Sequence, residues 1–430
     1  MHNDHINQLS LLDMSQAVHN GRLRPSQIVE ACIERIAQRE PQVQAWESLD
    51  TAAALEQARH LDTLPPKGLL HGLPIGVKDT IDTVDFPTGR GSPIYSGHRT
   101  SWDASSVALL KRAGGLILGK TVTTEFAYFR PGKTANPHNL AHTPGGSSSG
   151  SAAAVADFMV PAALGTQTAG SLIRPASYCG VVAYKPTLGD FALGGIRPIS
   201  HSLDTLGVVT RSVQDASLMR AVLLNTGFTP TTSSIQLPPR IAFCHTPSWF
   251  EADRYTRAQL EKTATFLANG NAQISTVSLP AVCDELVNAQ KQIMAYEAAQ
   301  YMSYEYDQFA HQMSPQIIAL IEEGMATQRE DYLLALALTQ RARDELAKLF
   351  ENCDVIMAPA APGEAPHGLQ ATGDPIFSRM WNLLGVPSLN IPAFTGENNL
   401  PVGIQLIGAL GEDEHLLRMG AWIEQKLKQS

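Results

Sequence analysis

Apolar residues along the chain follow two rhythms, one of about four and one of short unbroken runs. Between residues 26 and 37 (SQIVEACIERIA), Ile28, Cys32 and Ile36 recur four apart, which predicts a helix with one buried face and Ser26 as its N-cap. A second helix is expected over Ala52 to Leu61, ended by Pro65-Pro66. Leu73 to Val77 reads as a strand that delivers Lys78-Asp79 at its end. Asp103 is read as the cap of a helix through Lys111, Gly114-Gly115 breaks it, and Leu116-Ile117-Leu118 is a buried strand. Further strands are expected at Val160 to Gly165, Arg240 to Cys244, Gln273 to Val277, Asp354 to Ala358, Ser388 to Pro392 and Val402 to Ile407. Helical patterns lie between them at Asp215 to Leu224 and Thr256 to Ala268, and again from about Asp413. Residues 281–352 carry almost no turn signal and read as a helical excursion over the sheet.

Such alternation implies an α/β fold, a twisted, largely parallel or mixed sheet with helices on both faces. At about 150 residues per domain the length admits three domains. No repeat, low-complexity tract or linker divides the chain, and strands lie on both sides of the excursion. We therefore expect one large domain over residues 1–430.

Composition narrows the function classes. Hydrophobic residues make up 44% of the chain, which excludes a disordered protein. A net charge of −9 without a basic block argues against a nucleic-acid partner. No apolar run approaches the ~18 residues of a membrane span. The segment Met1 to Met14, with Asp4, Asn7 and Asp13, lacks a signal-peptide core, so a cytoplasmic protein is expected. Five cysteines without a C-x-x-C pair read as buried thiols in a reducing compartment. Scattered histidines predict no metal site, and no cofactor motif survives inspection.

Two short motifs fail on their context. Residues 114–121 (GGLILGKT) match a phosphate-binding loop letter for letter, but the interior is strand-like and a β-branched run follows where a helix is needed. Residues 146–150 (GSSSG) match a nucleophile elbow with Ser148 as nucleophile. That motif needs a strand before it, and Leu140 to Pro144 is a poor one. The longer stretch from Pro144 to Pro175 is more informative. Gly145 to Gly150 packs hydroxyls onto permissive backbone, and Thr168-Ala169-Gly170-Ser171 is a turn of small residues after a strand. Such a turn can aim consecutive N–H groups into one cavity, as an oxyanion hole requires.

Several dispersed blocks, in order, carry a resemblance. They are LPIGVKDT at 73–80, DASSVALLKRAGGLILGKTVTTEFA at 103–127, the Gly/Ser stretch, GVVAYKPT at 180–187, SLDTLGVVTRSVQDA at 202–216 and MWNLLGVPSLNIPAFTGENNLPVGIQLIG at 380–408. Over most of its length the chain resembles the amidase signature hydrolases. The resemblance implies their fold and a Ser-Ser-Lys triad without cofactor: Lys78 as base, Ser147 as bridge after a cis Gly146–Ser147 peptide, and Ser171 as nucleophile. It implies an oxyanion hole from the N–H groups of Thr168, Ala169, Gly170 and Ser171. A serine needs an adjacent base, and a buried lysine can be one because burial disfavours its charged form.

The chain departs from the commonest pattern at Gln167 and Ala169, and it carries Ile173 with Arg174 where an arginine usually stands one position earlier. This form is similar to the malonamidase-like branch, in which the arginine is implicated in binding a substrate carboxylate. Arg174 is thus a candidate substrate-binding residue, with a structural arginine bonding loop carbonyls as the competing reading. The expected activity is hydrolysis of the C–N bond of a small linear amide, such as a dicarboxylic acid monoamide. The alternatives are the glutamine-hydrolysing subunit of a tRNA-dependent amidotransferase and an esterase or urethane-cleaving enzyme. The expected partner is a small-molecule amide, and the resemblance admits a homodimer.

Overall fold

In the computed structural model, which describes residues 3–230 and 238–429, eleven strands form one sheet. In chain order they are β1 (Trp46–Leu49), β2 (Pro74–Lys78), β3 (Leu116–Thr121), β4 (Ala162–Gln167), β5 (Val182–Lys185), β6 (Thr205–Thr210), β7 (Arg240–Cys244), β8 (Gln273–Val277), β9 (Val355–Pro359), β10 (Ser388–Thr395) and β11 (Pro401–Ile407). Their spatial order is β1-β3-β2-β4-β6-β5-β10-β11-β9-β7-β8. The sheet is mixed: β3, β2 and β4 run parallel, as do β9, β7 and β8, while the centre from β4 to β9 is antiparallel. The expected α/β class, with helices on both faces, is what the chain adopts.

Side chains alternate across the sheet with the period of two that a pleated strand imposes. Ile75 and Val77, Leu206 and Val208, Ile404 and Leu406 join one buried core. Ala163, Ala183 and Val209 face the opposite core. That second face is thinned at Gly165 and Gly207, where an added Cβ would lie 2.7 and 2.4 Å from the Leu172 side chain. The bare backbone lets Leu172 sit directly on the sheet, bringing in the buried helices Ser149–Ala156 and Ile173–Cys179. Between β8 and β9 the chain forms the helices Leu286–Tyr301, Ser303–Phe309, Pro315–Ala326 and Arg329–Leu349.

Several local readings shift. The first long helix is Pro25–Val43, with Arg24 at the N-cap; Ser26 is inside it and bonds Asp62 instead. Pro25 occupies N1, where its missing N–H removes nothing and its fixed φ favours the helix. Asp103 is not a cap either: the helix is Ser105–Arg112 after Ala104, and the Asp103 carboxylate pairs with Lys111 at 2.8 Å. Strand β4 begins two residues later than expected, and β1, β5 and β6 were not anticipated. All five cysteines are buried and unpaired. Among the described residues, no helix is long and apolar enough to cross a membrane.

Candidate active site

Strands β2 and β4 are parallel neighbours, with Val77 opposite Leu164, so both end at the same edge of the sheet. Ligands bind beyond the carboxyl ends of such strands because there the backbone leaves the sheet and its polar groups become available. Lys78 is the last residue of β2, and β4 runs into the turn from Thr168 to Leu172. Because Ile75 and Val77 face one core, Lys78 faces the other, toward the serine-bearing helices.

Lys78 is fully buried. Its Nζ donates to Ser147 Oγ at 2.7 Å and to Thr166 Oγ1 at 2.8 Å. Burial is the main influence on its pKa and pushes it down to about 7, with the nearby Asp204 opposing the shift. Asp79, the apparent partner in sequence, pairs instead with Lys120 at 3.1 Å. Lys120 is the lysine of GGLILGKT, which lies in β3 and is no phosphate loop. Ser148 is likewise occupied: its buried Oγ bonds the backbone of Thr166.

The Gly146–Ser147 peptide is cis. Gly146 is packed so closely that a Cβ would come 2.9 Å from Thr372. Ser147 and Ser171 both line one cleft, together with Thr168, Ala169, Gly170 and Arg174. The sequence-derived residues thus converge, with Lys78 behind Ser147. Among the described residues, no backbone acceptor takes the N–H groups of Ala169, Gly170 or Ser171. Ala169 keeps a negative φ, so the alanine is tolerated. Gly170 is required by a close approach, since a Cβ there would lie 2.8 Å from Pro375.

Several residues that hold this turn carried no signal in the sequence. Thr168 Oγ1 donates to Asp204, whose other oxygen accepts the N–H groups of Ile199 and Ser200. Burial raises the Asp204 pKa to about 6. The Thr168 carbonyl accepts from Gln290 at 3.1 Å and Asn382 at 2.8 Å, which are distant in sequence. Gln167, noted as a departure, accepts the N–H groups of Leu172 and Ile173 through Oε1. An amide oxygen there does the work of a helix-capping acceptor without adding charge.

Arg174 is buried, and its guanidinium is largely engaged. Nη1 donates to the Gly373 carbonyl at 2.8 Å, and Nη2 to Gly146 at 2.7 Å and Thr372 at 3.2 Å. Its Nε has no partner among the described residues. Tyr128 and Phe129 also line the cleft, following Phe126 and Ala127, which both hold positive φ. From the helical excursion Met294 reaches the cleft, and Arg379, which the sequence did not single out, lines it as well. His138 and His142 stand four apart, but they bond the carbonyls of Cys179 and Ala365. Among the described residues, no group of three or more His, Cys, Asp or Glu could hold a metal ion.

The family description Amidase matches residues 27–417. A glutamyl-tRNA(Gln) amidotransferase subunit of Oleidesulfovibrio alaskensis is 32% identical, with 97% of each chain covered. The 2-amino-5-chloromuconic acid deaminase of Comamonas testosteroni is 30% identical over 97% of this chain and 96% of its own. A crystal structure of an amidase superposes with a TM-score of 0.87 at 30% identity, covering 97% of this chain and all of that one.

Proposed function

The chain belongs to the amidase family, whose enzymes hydrolyse C–N bonds, and on that premise we propose that it cleaves a small linear amide through an acyl-enzyme on Ser171. The observation that carries this reading is the fully buried Lys78 donating to Ser147 at 2.7 Å, behind a cleft that Ser147 shares with Ser171. With its pKa at about 7, a substantial fraction of Lys78 is neutral at physiological pH. Neutral Lys78 takes the proton of Ser147, and Ser147 takes that of Ser171. The Ser171 Oγ attacks the amide carbonyl, and its electron pair moves to the oxygen. The N–H groups of the Thr168 to Ser171 turn receive that oxyanion. When the tetrahedral adduct collapses, the C–N bond breaks, and the proton returns through Ser147 to the leaving nitrogen. Ammonia or an amine departs. Water, deprotonated along the same chain, then releases the acid from Ser171.

We favour an amide that carries a carboxylate, as in dicarboxylic acid monoamides. The arginines of the cleft support this, as does a relative named for acting on a muconic acid. A second reading is favoured by the 32% identity to an amidotransferase subunit: hydrolysis of glutamine as one subunit of a larger enzyme. An ester or urethane substrate would use the same steps. We place the protein in the cytoplasm, alone or as a homodimer.

The test is ammonia release by purified protein from malonamate, succinamate, neutral aliphatic amides, aryl amides and glutamine, each repeated with Ser171→Ala. Release from a carboxylated amide that is lost in Ser171→Ala supports the first reading. Release from glutamine alone, with other subunits co-purifying, favours the second. Release that persists in Ser171→Ala would sink both.

A further inference from the structure

Two arginines line the cleft, and they are not equivalent. Both are almost fully buried, Arg174 at 3% exposure and Arg379 at 4%. Arg174 already has three acceptors, the Gly373 and Gly146 carbonyls and Thr372. These contacts tie together the loops before Ser147 and before the helix Ile376–Leu384. Arg379, on that helix, has one hydrogen bond among the described residues, from Nη1 to Gln290 Oε1. Its Nε is buried without a partner. Among the described residues no carboxylate forms an ion pair with it, and Asp374 and Glu323 act on it only at longer range. Its guanidinium lies 5.9 Å from the Phe129 ring, another wall of the cleft.

A buried cation without a counter-ion is unfavourable in a folded protein, because it loses its hydration and gains no opposite charge. The fold gains little from Arg379 in return, since a neutral side chain could also bond Gln290. A charge held in this way beside a nucleophile is balanced when a ligand supplies the opposite one. Arginine's planar fork also matches a carboxylate in two parallel hydrogen bonds, using the donors that the protein leaves free.

We propose that Arg379 is the specificity-determining residue of the cleft, pairing with a carboxylate on the amide substrate, while Arg174 holds the loops around Ser147. This rests on the reading of the same cleft as an amidase site. Its test needs no turnover, so the two can fail separately. The Ser171→Ala protein is titrated calorimetrically with malonamate, succinamate and glutaramate, and with propionamide, butyramide and pentanamide as uncharged partners of similar length. A charge-assisted pair predicts about 10- to 100-fold tighter binding of at least one acid than of its uncharged partner. Adding Arg379→Met abolishes that preference, and Arg379→Lys restores part of it. Thermal unfolding of Arg379→Met is expected at the same temperature or higher, because an unpaired buried charge has been removed. Equal binding of acids and neutral amides, binding of neither, or a preference that survives Arg379→Met would each overturn the proposal. Failure of both Arg379→Met and Arg379→Lys to fold would also overturn it, by making the residue structural.

Discussion

Replacing Lys78 by methionine separates the two consequences of burying that side chain, one for stability and one for chemistry. The Lys78 pKa stands at about 7 in the folded protein against 10.5 for an ordinary lysine. Each unit of displacement corresponds to about 1.4 kcal/mol between the charged and neutral forms. Between those two pH values the unfolded chain binds more protons at this site than the folded one. The burden of burying the ammonium is therefore fully present below pH 7, declines as pH rises, and is gone above pH 10.5. From pH 6 to pH 9 the wild type recovers on the order of 2–3 kcal/mol from this group. Methionine does not titrate, so Lys78→Met gains stability relative to wild type by that much more at pH 6 than at pH 9. The substitution also deletes the bonds to Ser147 and Thr166, at about 1 kcal/mol each. That loss is the same at both pH values, which makes the pH dependence the quantity to read. Urea unfolding at the two pH values measures it. In the same preparations, wild-type kcat/KM is expected to rise about tenfold per pH unit below an inflection near 7 and then level off. Lys78→Met should lose at least about 1,000-fold. Lys185 supplies the control: burial holds it at about 7 as well, but its Nζ donates to the Pro186 carbonyl, and Lys185→Met should leave the inflection in place. A flat activity profile from pH 5 to pH 9, or a stability difference independent of pH, would refute the reasoning.

Other residues give sharper single outcomes. Ser147→Ala breaks the relay between Lys78 and Ser171, so kcat should fall by about 100- to 10,000-fold with KM changed far less, as steady-state kinetics will read. Asp204→Asn removes the charge that raises the Lys78 pKa, so the inflection in kcat/KM should move to lower pH; a shift to higher pH would contradict the assignment. Ser148→Ala loses bonds to the Thr166 backbone and should cost about 1 kcal/mol in urea unfolding while hydrolysis persists, which rules on the discarded elbow motif. Gly150→Ala would place a Cβ 2.2 Å from the Ala45 carbonyl and 2.3 Å from the Val122 nitrogen, so urea unfolding should show a loss of several kcal/mol.

Much of this architecture was legible because local pattern and tertiary role coincide. Strand β7 is a buried apolar run from Ile241 to Cys244 and β8 is a β-branched one with Ile274, Thr276 and Val277; helices flank both, and their bounds matched the expected ones. Lys78 was placed at a strand end by the run before it. The misreadings occurred where a polar residue had a better partner elsewhere. Ser26 and Asp103 have cap chemistry, yet Asp62 and Lys111 hold their side chains. Strand β5 has only four residues, and in β6 the glycine serves packing against Leu172 rather than a turn. Asp204, Gln290, Asn382 and Arg379 were beyond local reading altogether. Their positions follow from which loops the sheet and the helical excursion bring to the Thr168 turn, over separations of up to 214 residues. Nothing in the residues around Arg379 shows that it is buried without an acid.

The most direct test of the central claim is the site of covalent modification. Purified protein is treated with a fluorophosphonate serine probe, digested, and mapped by mass spectrometry. The account predicts one adduct, on Ser171, absent from Ser171→Ala and strongly slowed in Lys78→Met. An adduct on Ser147 or Ser148 instead, or labelling of Ser171 at an unchanged rate without Lys78, would contradict it.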